Sequence, residues 1–291
     1  MKKKKYIFVG NRSSVLSEMR SQLLHIEKII AVKNSYLQKE LEAENIKFKS
    51  FKNKKELCEI IDSSKFDILV SNGCPVILPV SSLAKKHQTF INVHPSFLPD
   101  LKGINPINGA ILFNRSAGAT CHIMEDKVDS GAIISRIEIP LTPDIDLGLL
   151  YKLSFAGERE VFRKALKRNF IPDKNIFHKL SKNKKPVYYS RSEKDLIINF
   201  GEGGKSMVRR VRAFGIESQQ AYFEFKGNVF KVMDAEIITN PHMLAKLQEY
   251  KELEIAFIYE KTIIFRKGRE FIKFRNITGN INKLKQGDIL I

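Results

Sequence analysis

Through the first two thirds of the chain, short apolar runs alternate with stretches of helical period. Residues 6–9, 29–32, 46–48, 67–70 and 89–93 are short and apolar and predict parallel strands of a buried sheet. Residues 13–26, 35–44 and 54–63 repeat apolar positions at helical spacing and predict the crossover helices between those strands. Residues 118–124 and 132–137 read as two more strands around a polar turn that ends in glycine. A long helix is predicted over 146–168 from Leu149, Leu150, Leu153, Phe155, Phe162 and Leu166, and the lysine-rich run 179–186 reads as a linker. A helix at 207–214 follows, then β-rich pieces at 221–226, 228–238, 255–259, 262–265 and 270–274, with Gly227 and Gly268 at turns. The pattern predicts an α/β fold with a Rossmann-like domain over 1–187 and a smaller β-rich, barrel-like domain over 188–291.

The chemistry concentrates where the fifth strand ends. Asn92 and His94 stand two residues apart, so they share one strand face and can reach a common atom before Pro95 stops the run. Asp129 lies in the polar turn between the two later strands. An amide, an imidazole and a carboxylate are thus all offered at strand ends, where open α/β sheets bind ligands. An isolated Asn-x-His is usually a satisfied polar pair, and only its company with the Asp129 turn raises it above that. His122 shares a face with Thr120 and Met124 and is divided evenly between packing and a place beside this turn. His25, His87, His178 and His242 lie in amphipathic or polar surroundings and read as surface or capping residues.

Asn-Val-His-Pro-Ser-Phe-Leu-Pro at 92–99, Lys102-Gly103 followed by Pro106 and Ala110-Ile111, and Val-Asp-Ser-Gly at 128–131 followed by Ala-Ile-Ile resemble the folate-dependent formyltransferases. The resemblance covers roughly residues 5–190, and more loosely the segment from Pro-Val-Tyr-Tyr-Ser-Arg at 186–191 onward. It implies transfer of a formyl group from N10-formyltetrahydrofolate to an amine, with Asn92, His94 and Asp129 as the catalytic residues. It also implies an OB-like C-terminal domain. The loop at 71–79, fixed by a glycine and two prolines after a buried strand, would face the pterin through Gly73, Cys74, Val76 and Leu78, with Asp126 also on the cofactor side. A rigid crossover without a ligand is the plain alternative for that loop. The acceptor would meet Ser96, Lys102, Asn105, Pro106 and Asn108. Lys102 stands where many relatives have arginine; it keeps the charge and loses the rigid fork.

The first turn, Gly10-Asn-Arg-Ser-Ser14, is not a Gly-x-Gly-x-x-Gly fingerprint, and Lys205-Ser206 lacks the glycine pattern of a phosphate-binding loop. Gly10, Asn11 and Arg12 read instead as a helix start that either caps itself or holds a phosphate of the acceptor. With 50 Lys and Arg against 32 Asp and Glu, the net charge is +18. Such a field steers tRNA, a nucleotide diphosphate or a polyanionic folate tail alike, so charge does not choose the acceptor. The methionyl-tRNA enzymes of the family carry a long basic insertion after the second strand, whereas here Val32 leads into a short helix with acidic residues. The sequence therefore favours a dTDP- or UDP-linked amino sugar, in surface glycan or lipopolysaccharide synthesis, over tRNA; a non-catalytic RNA-binding protein or an idle scaffold is a weaker reading. Three scattered cysteines, no apolar stretch of transmembrane type and no metal-ligand spacing predict a reduced, cytoplasmic, metal-free enzyme, with a homodimer possible.

Overall fold

The computed structural model describes residues 3–176 and 185–291; His178 and most of the expected linker at 179–186 lie outside them. Two compact units divide the chain. The first comprises Met1–Pro106, Ser116–Pro140 and Lys152–Tyr189, and the second Ile107–Arg115, Leu141–Tyr151 and Ser190–Ile291. The second unit thus takes in two segments from within the first 187 residues. Among the described residues, no helix is long and apolar enough to cross a membrane.

In chain order, the elements up to Tyr188 are β1 Lys5–Gly10, α1 Ser14–Ser21, β2 His25–Val32, α2 Tyr36–Ala43, β3 Lys49–Phe51, α3 Lys54–Asp62, β4 Ile68–Asn72, α4 Val80–Leu83, β5 Thr89–His94, β6 Leu101–Lys102, α5 Pro106–Leu112, β7 Ala117–Ile123, β8 Ile133–Ile139, α6 Leu147–Lys167 and β9 Val187–Tyr188. Seven strands form one sheet in the order β3-β2-β1-β4-β5-β7-β8. The first five run parallel, and β7 and β8 pair antiparallel. β1 shows why the sheet is covered on both faces. Tyr6 and Phe8 pack with Val15, Leu16 and Met19 of α1, Leu37 and Leu41 of α2, and Val161 and Phe162 of α6. Their neighbours Ile7 and Val9 turn the other way, onto Leu57 and Ile61 of α3 and onto Phe90. Each such fully buried side chain contributes about 1.5–3 kcal/mol by leaving water.

Three local boundaries differ from the sequence expectation. α1 stops at Ser21 instead of reaching 26, because Leu23 takes a positive φ of 52° and β2 starts at His25. The third strand is Lys49–Phe51 and not 46–48, since Phe51 is the residue that enters the core. The run 228–238 is two strands, not one.

In the second unit the elements are α7 Gly204–Ala213, β10 Ala221–Phe225, β11 Asn228–Val232, β12 Asp234–Ile238, α8 Pro241–Ala245, β13 Ile255–Tyr259, β14 Thr262–Lys267 and β15 Glu270–Arg275. β10 and β11 form a hairpin, and β12-β15-β14-β13 an antiparallel sheet. The chain breaks at Met233, so the two halves of 228–238 join different sheets. Phe223 stacks on Phe230 at 5.2 Å between ring centroids, and Phe265 meets Phe274 edge-on at 4.9 Å. The β-rich, antiparallel character matches the sequence reading.

Candidate active site

β5 lies at the change of polarity in the sheet, with β4 parallel on one side and β7 antiparallel on the other. Its C-terminal end opens on a cavity of about 210 Å³ whose wall includes Asn92, His94, His122 and Asp129. The antiparallel register sets His122 directly opposite Asn92. Nδ1 of His122 donates to its neighbour's carbonyl, Ile123 O, at 2.7 Å, which leaves Nε2 to accept from Nδ2 of Asn92 at 3.2 Å. That bond fixes the carboxamide and leaves its second N–H for a ligand oxygen.

Asp129 reaches the same place from the turn after β7, in a left-handed conformation with φ of 48°. Its Oδ2 accepts from the Gly103 N–H at 3.0 Å and lies 3.6 Å from His94 Nε2, while Oδ1 lies 3.7 Å from His122 Nε2. His94 Nε2 is buried and makes no hydrogen bond within the chain. Burial alone would raise the Asp129 carboxyl; His94, His122 and the Gly103 N–H outweigh it and hold the group well below the usual carboxylate range. For His94 burial decides the balance. Burial lowers its pKa, and the raising effect of Asp129 is outweighed, with His122 and Arg12 also lowering it. The imidazole is thus a neutral base beside an ionised carboxylate, and not a standing cation.

The wall also holds Asn11, Arg12, Gly73, Cys74, Val76 and Leu78. Burial pushes the Cys74 thiol up to about 11, so it is an apolar wall group and not a nucleophile. Met124, Val128, Ile104 and Tyr188 join the wall without having been singled out as ligand contacts. Their only signal is position, beside His122, Asp129, Gly103 and the Pro-Val-Tyr-Tyr run.

Seven expected residues do not line this cavity. Gly10 ends β1 where a Cβ would stand 2.2 Å from Asn72 O, so it serves strand approach. Ser96 is buried and donates to Leu101 O at 2.6 Å, shaping the loop after His94. Lys102 sits in β6, where burial lowers its pKa against the raising effect of Asp129. Asn105 has its backbone N–H directed to Tyr189 O at 3.5 Å, and Pro106 opens α5. Asn108 is fully buried and donates to Ala213 O and Gln219 Oε1, each at 2.7 Å, while accepting from the Tyr151 hydroxyl at 2.8 Å. That set satisfies its amide internally. Asp126 accepts from the Ser81 N–H at 3.0 Å and so anchors the far end of the 71–79 loop.

Residues 22–166 match the family described as formyl transferase. The chain carries a domain of that family. Over 194 residues it is 31% identical to the methionyl-tRNA formyltransferase of Geobacillus sp. (strain WCH70), covering 64% of this chain and 58% of that enzyme. The chain therefore matches less than two thirds of that relative's length. WlaRD, a sugar 3N-formyl transferase whose crystal structure was determined in the presence of dTDP and 5-N-formyl-THF, superposes with a TM-score of 0.69 at 19% identity, over 94% of this chain and 98% of that one. The N-formyltransferase from Helicobacter canadensis in complex with folinic acid and dTDP-3-aminofucose gives 0.67 at 17% identity, over 94% and 99%. At such identities the likeness is one of fold.

The four polar groups are so placed that together they can serve an acyl transfer. The free N–H of Asn92 can stabilise a developing oxyanion, and neutral His94 can accept a proton while Asp129 stabilises the cation that results. Among the described residues, no group of three or more His, Cys, Asp or Glu could hold a metal ion. The loop that faces this chemistry depends on Gly73, whose φ is 72° and whose added Cβ would stand 2.2 Å from Asn11 Oδ1 and 2.5 Å from Arg12 Nη1. Gly73→Ala is expected to displace the loop and weaken folate binding at least about tenfold, with a stability loss of about 1–3 kcal/mol. Equilibrium binding of 5-formyltetrahydrofolate and thermal unfolding check it; parental values for both would show that the loop tolerates the change.

Proposed function

We propose that this chain transfers the formyl group of N10-formyltetrahydrofolate to the amino group of a nucleotide-linked amino sugar. The observation that carries the transfer chemistry is the convergence of Asn92, His94, His122 and Asp129 on one cavity in a formyl transferase domain. The slot beside them, with Val76, Leu78 and Met124 as apolar walls and loop backbone at its edge, suits a flat pterin rich in donors and acceptors. As the acceptor amine attacks, the free Asn92 N–H meets the charge growing on the formyl oxygen. His94 Nε2 takes the amine proton and Asp129 steadies the resulting imidazolium; as the tetrahedral intermediate collapses, the C–N10 bond breaks and the imidazolium returns the proton to N10, releasing tetrahydrofolate and the N-formyl product. None of these steps needs a metal or a covalent enzyme intermediate.

The sugar acceptor is favoured over tRNA by the link from β2 to α2. Only Lys33, Asn34 and Ser35 separate Val32 from Tyr36, which leaves no room for a basic arm of the tRNA-binding kind. The fold likeness over nearly the whole length to proteins described with dTDP or a dTDP-sugar supports the same choice. A cytoplasmic role in surface glycan synthesis follows from that acceptor class. Methionyl-tRNA is the second reading, favoured by the sequence relatives. The test is a panel of dTDP- and UDP-linked 3-amino and 4-amino sugars beside charged initiator methionyl-tRNA, each with N10-formyltetrahydrofolate. At least one amino sugar is expected to give N-formyl product with kcat/KM above that of the tRNA. Faster turnover of the tRNA would reverse the choice of acceptor.

A further inference from the structure

Glu158 is fully buried in α6 and accepts hydrogen bonds from three side chains. Arg12, in the first turn, donates from Nε at 3.1 Å and from Nη2 in a short contact; Ser14 Oγ, at the start of α1, donates at 2.8 Å; Asn72 Nδ2, at the end of β4, donates at 2.9 Å. A carboxylate taken wholly out of water survives only when paired and hydrogen-bonded in this way. Two of its donors reach on to the cavity. Asn72 Nδ2 also donates to Val93 O at 3.1 Å, the residue between Asn92 and His94. Arg12 lines the cavity, faces the Phe155 ring at 4.9 Å and packs Nη1 against Gly73.

We propose that Glu158 is a positioning residue for the transfer reaction, holding the Asn92–His94 strand end through Asn72 and the 71–79 loop through Arg12. This rests on the reading of the cavity as a formyl-transfer centre. The same carboxylate balances charge. The groups facing His94 are Asp129 from the turn after β7, His122 from β7, Arg12 from the first turn and Glu158 from α6; Glu158 raises its proton affinity and Arg12 lowers it. A residue that only filled space would leave that balance alone.

The experiment uses the full chain in three variants, Glu158→Gln, Arg12→Gln and the two together, and reads His94 by proton NMR titration, its signal assigned by loss in His94→Ala. Without Glu158 the charge of Arg12 stands uncompensated, so the His94 midpoint moves to lower pH. Without Arg12 the charge of Glu158 stands uncompensated, so it moves to higher pH. The double variant returns close to the parental midpoint. In steady state, Glu158→Gln is expected to lose up to about 10²-fold in kcat with a smaller change in KM, because the displaced groups are those of the reacting centre. Midpoints that do not separate in opposite directions, or a parental kcat for Glu158→Gln, overturn the proposal. Should Glu158→Gln fail to fold, Arg12→Gln and the charge-neutral double variant carry the same sign test. The titration reads His94 whether or not the parental chain transfers formyl groups, so an inactive parent counts against the functional reading alone.

Discussion

Replacing His94 by alanine is expected to lower kcat for formyl transfer by about 10²–10⁴-fold while binding of N10-formyltetrahydrofolate stays near parental. The imidazole is held neutral by burial and makes no hydrogen bond within the chain, so its Nε2 is available to the acceptor's proton when charge moves. Its contribution belongs to the transition state and shows in kcat more than in KM. Asn92→Ala removes an oxyanion donor and is expected to cost about 10²–10³-fold on the same grounds. The check is steady-state kinetics with the best acceptor of the panel, beside equilibrium binding of the folate. A variant with parental kcat and only a raised KM would remove the residue from the reacting centre. His122 refines the expectation for Asn92. Because it accepts one amide hydrogen at 3.2 Å, a substitution at His122 that cannot accept should free the carboxamide to rotate and imitate part of the Asn92 defect.

The second large effect belongs to Asp129→Asn, which keeps the size of the side chain and removes its charge. Turnover is expected to fall by about 10²–10⁴-fold, since the imidazolium formed in the reaction loses its counter-charge. The sign of the pH response follows from the geometry. In the parental chain the acid limb of the kcat profile marks protonation of His94, displaced below the ordinary histidine value by burial, with Asp129 pulling it partly back. Removing the carboxylate removes the pull, so the limb moves to still lower pH or leaves the accessible range. Asp129 itself is held well below the usual carboxylate range and does not titrate in the working window. An unchanged limb in Asp129→Asn would take the residue out of the proton path.

Most strands of the main sheet and the shared face of Asn92 and His94 were legible because they obey local rules. Runs of apolar residues named most strands of the main sheet, and the two-residue period put Asn92 and His94 on one face before any geometry was known. What the sequence hid was long-range. Asn108 follows a run that looks like a ligand contact, yet its partners Ala213 and Gln219 stand 105 and 111 residues away, and no local pattern announces that its amide is already spoken for. Glu158 is similar: on α6 it reads as one more polar position of an amphipathic helix, and only folding brings Arg12 to it across 146 residues. α5 escaped because Pro-Ile-Asn-Gly-Ala-Ile-Leu has no charged face to set a period. The lowered His94 pKa was hidden for a related reason. A carboxylate neighbour can be guessed from a motif, whereas the degree of burial that outweighs it cannot.

The direct pairing of Asn92 with His122 decides where this scaffold can be rebuilt. Strand faces alternate, so adding or deleting a single residue in β7 before His122 would turn that ring to the opposite side of the sheet and carry Thr120 with it. The stretch from Lys33 to Ser35 bears no such restriction, because it joins a strand to a helix and lies outside the strand ladders. Grafted loops and length variation therefore belong at that connection, and β7 is a ruler whose graduations cannot be moved.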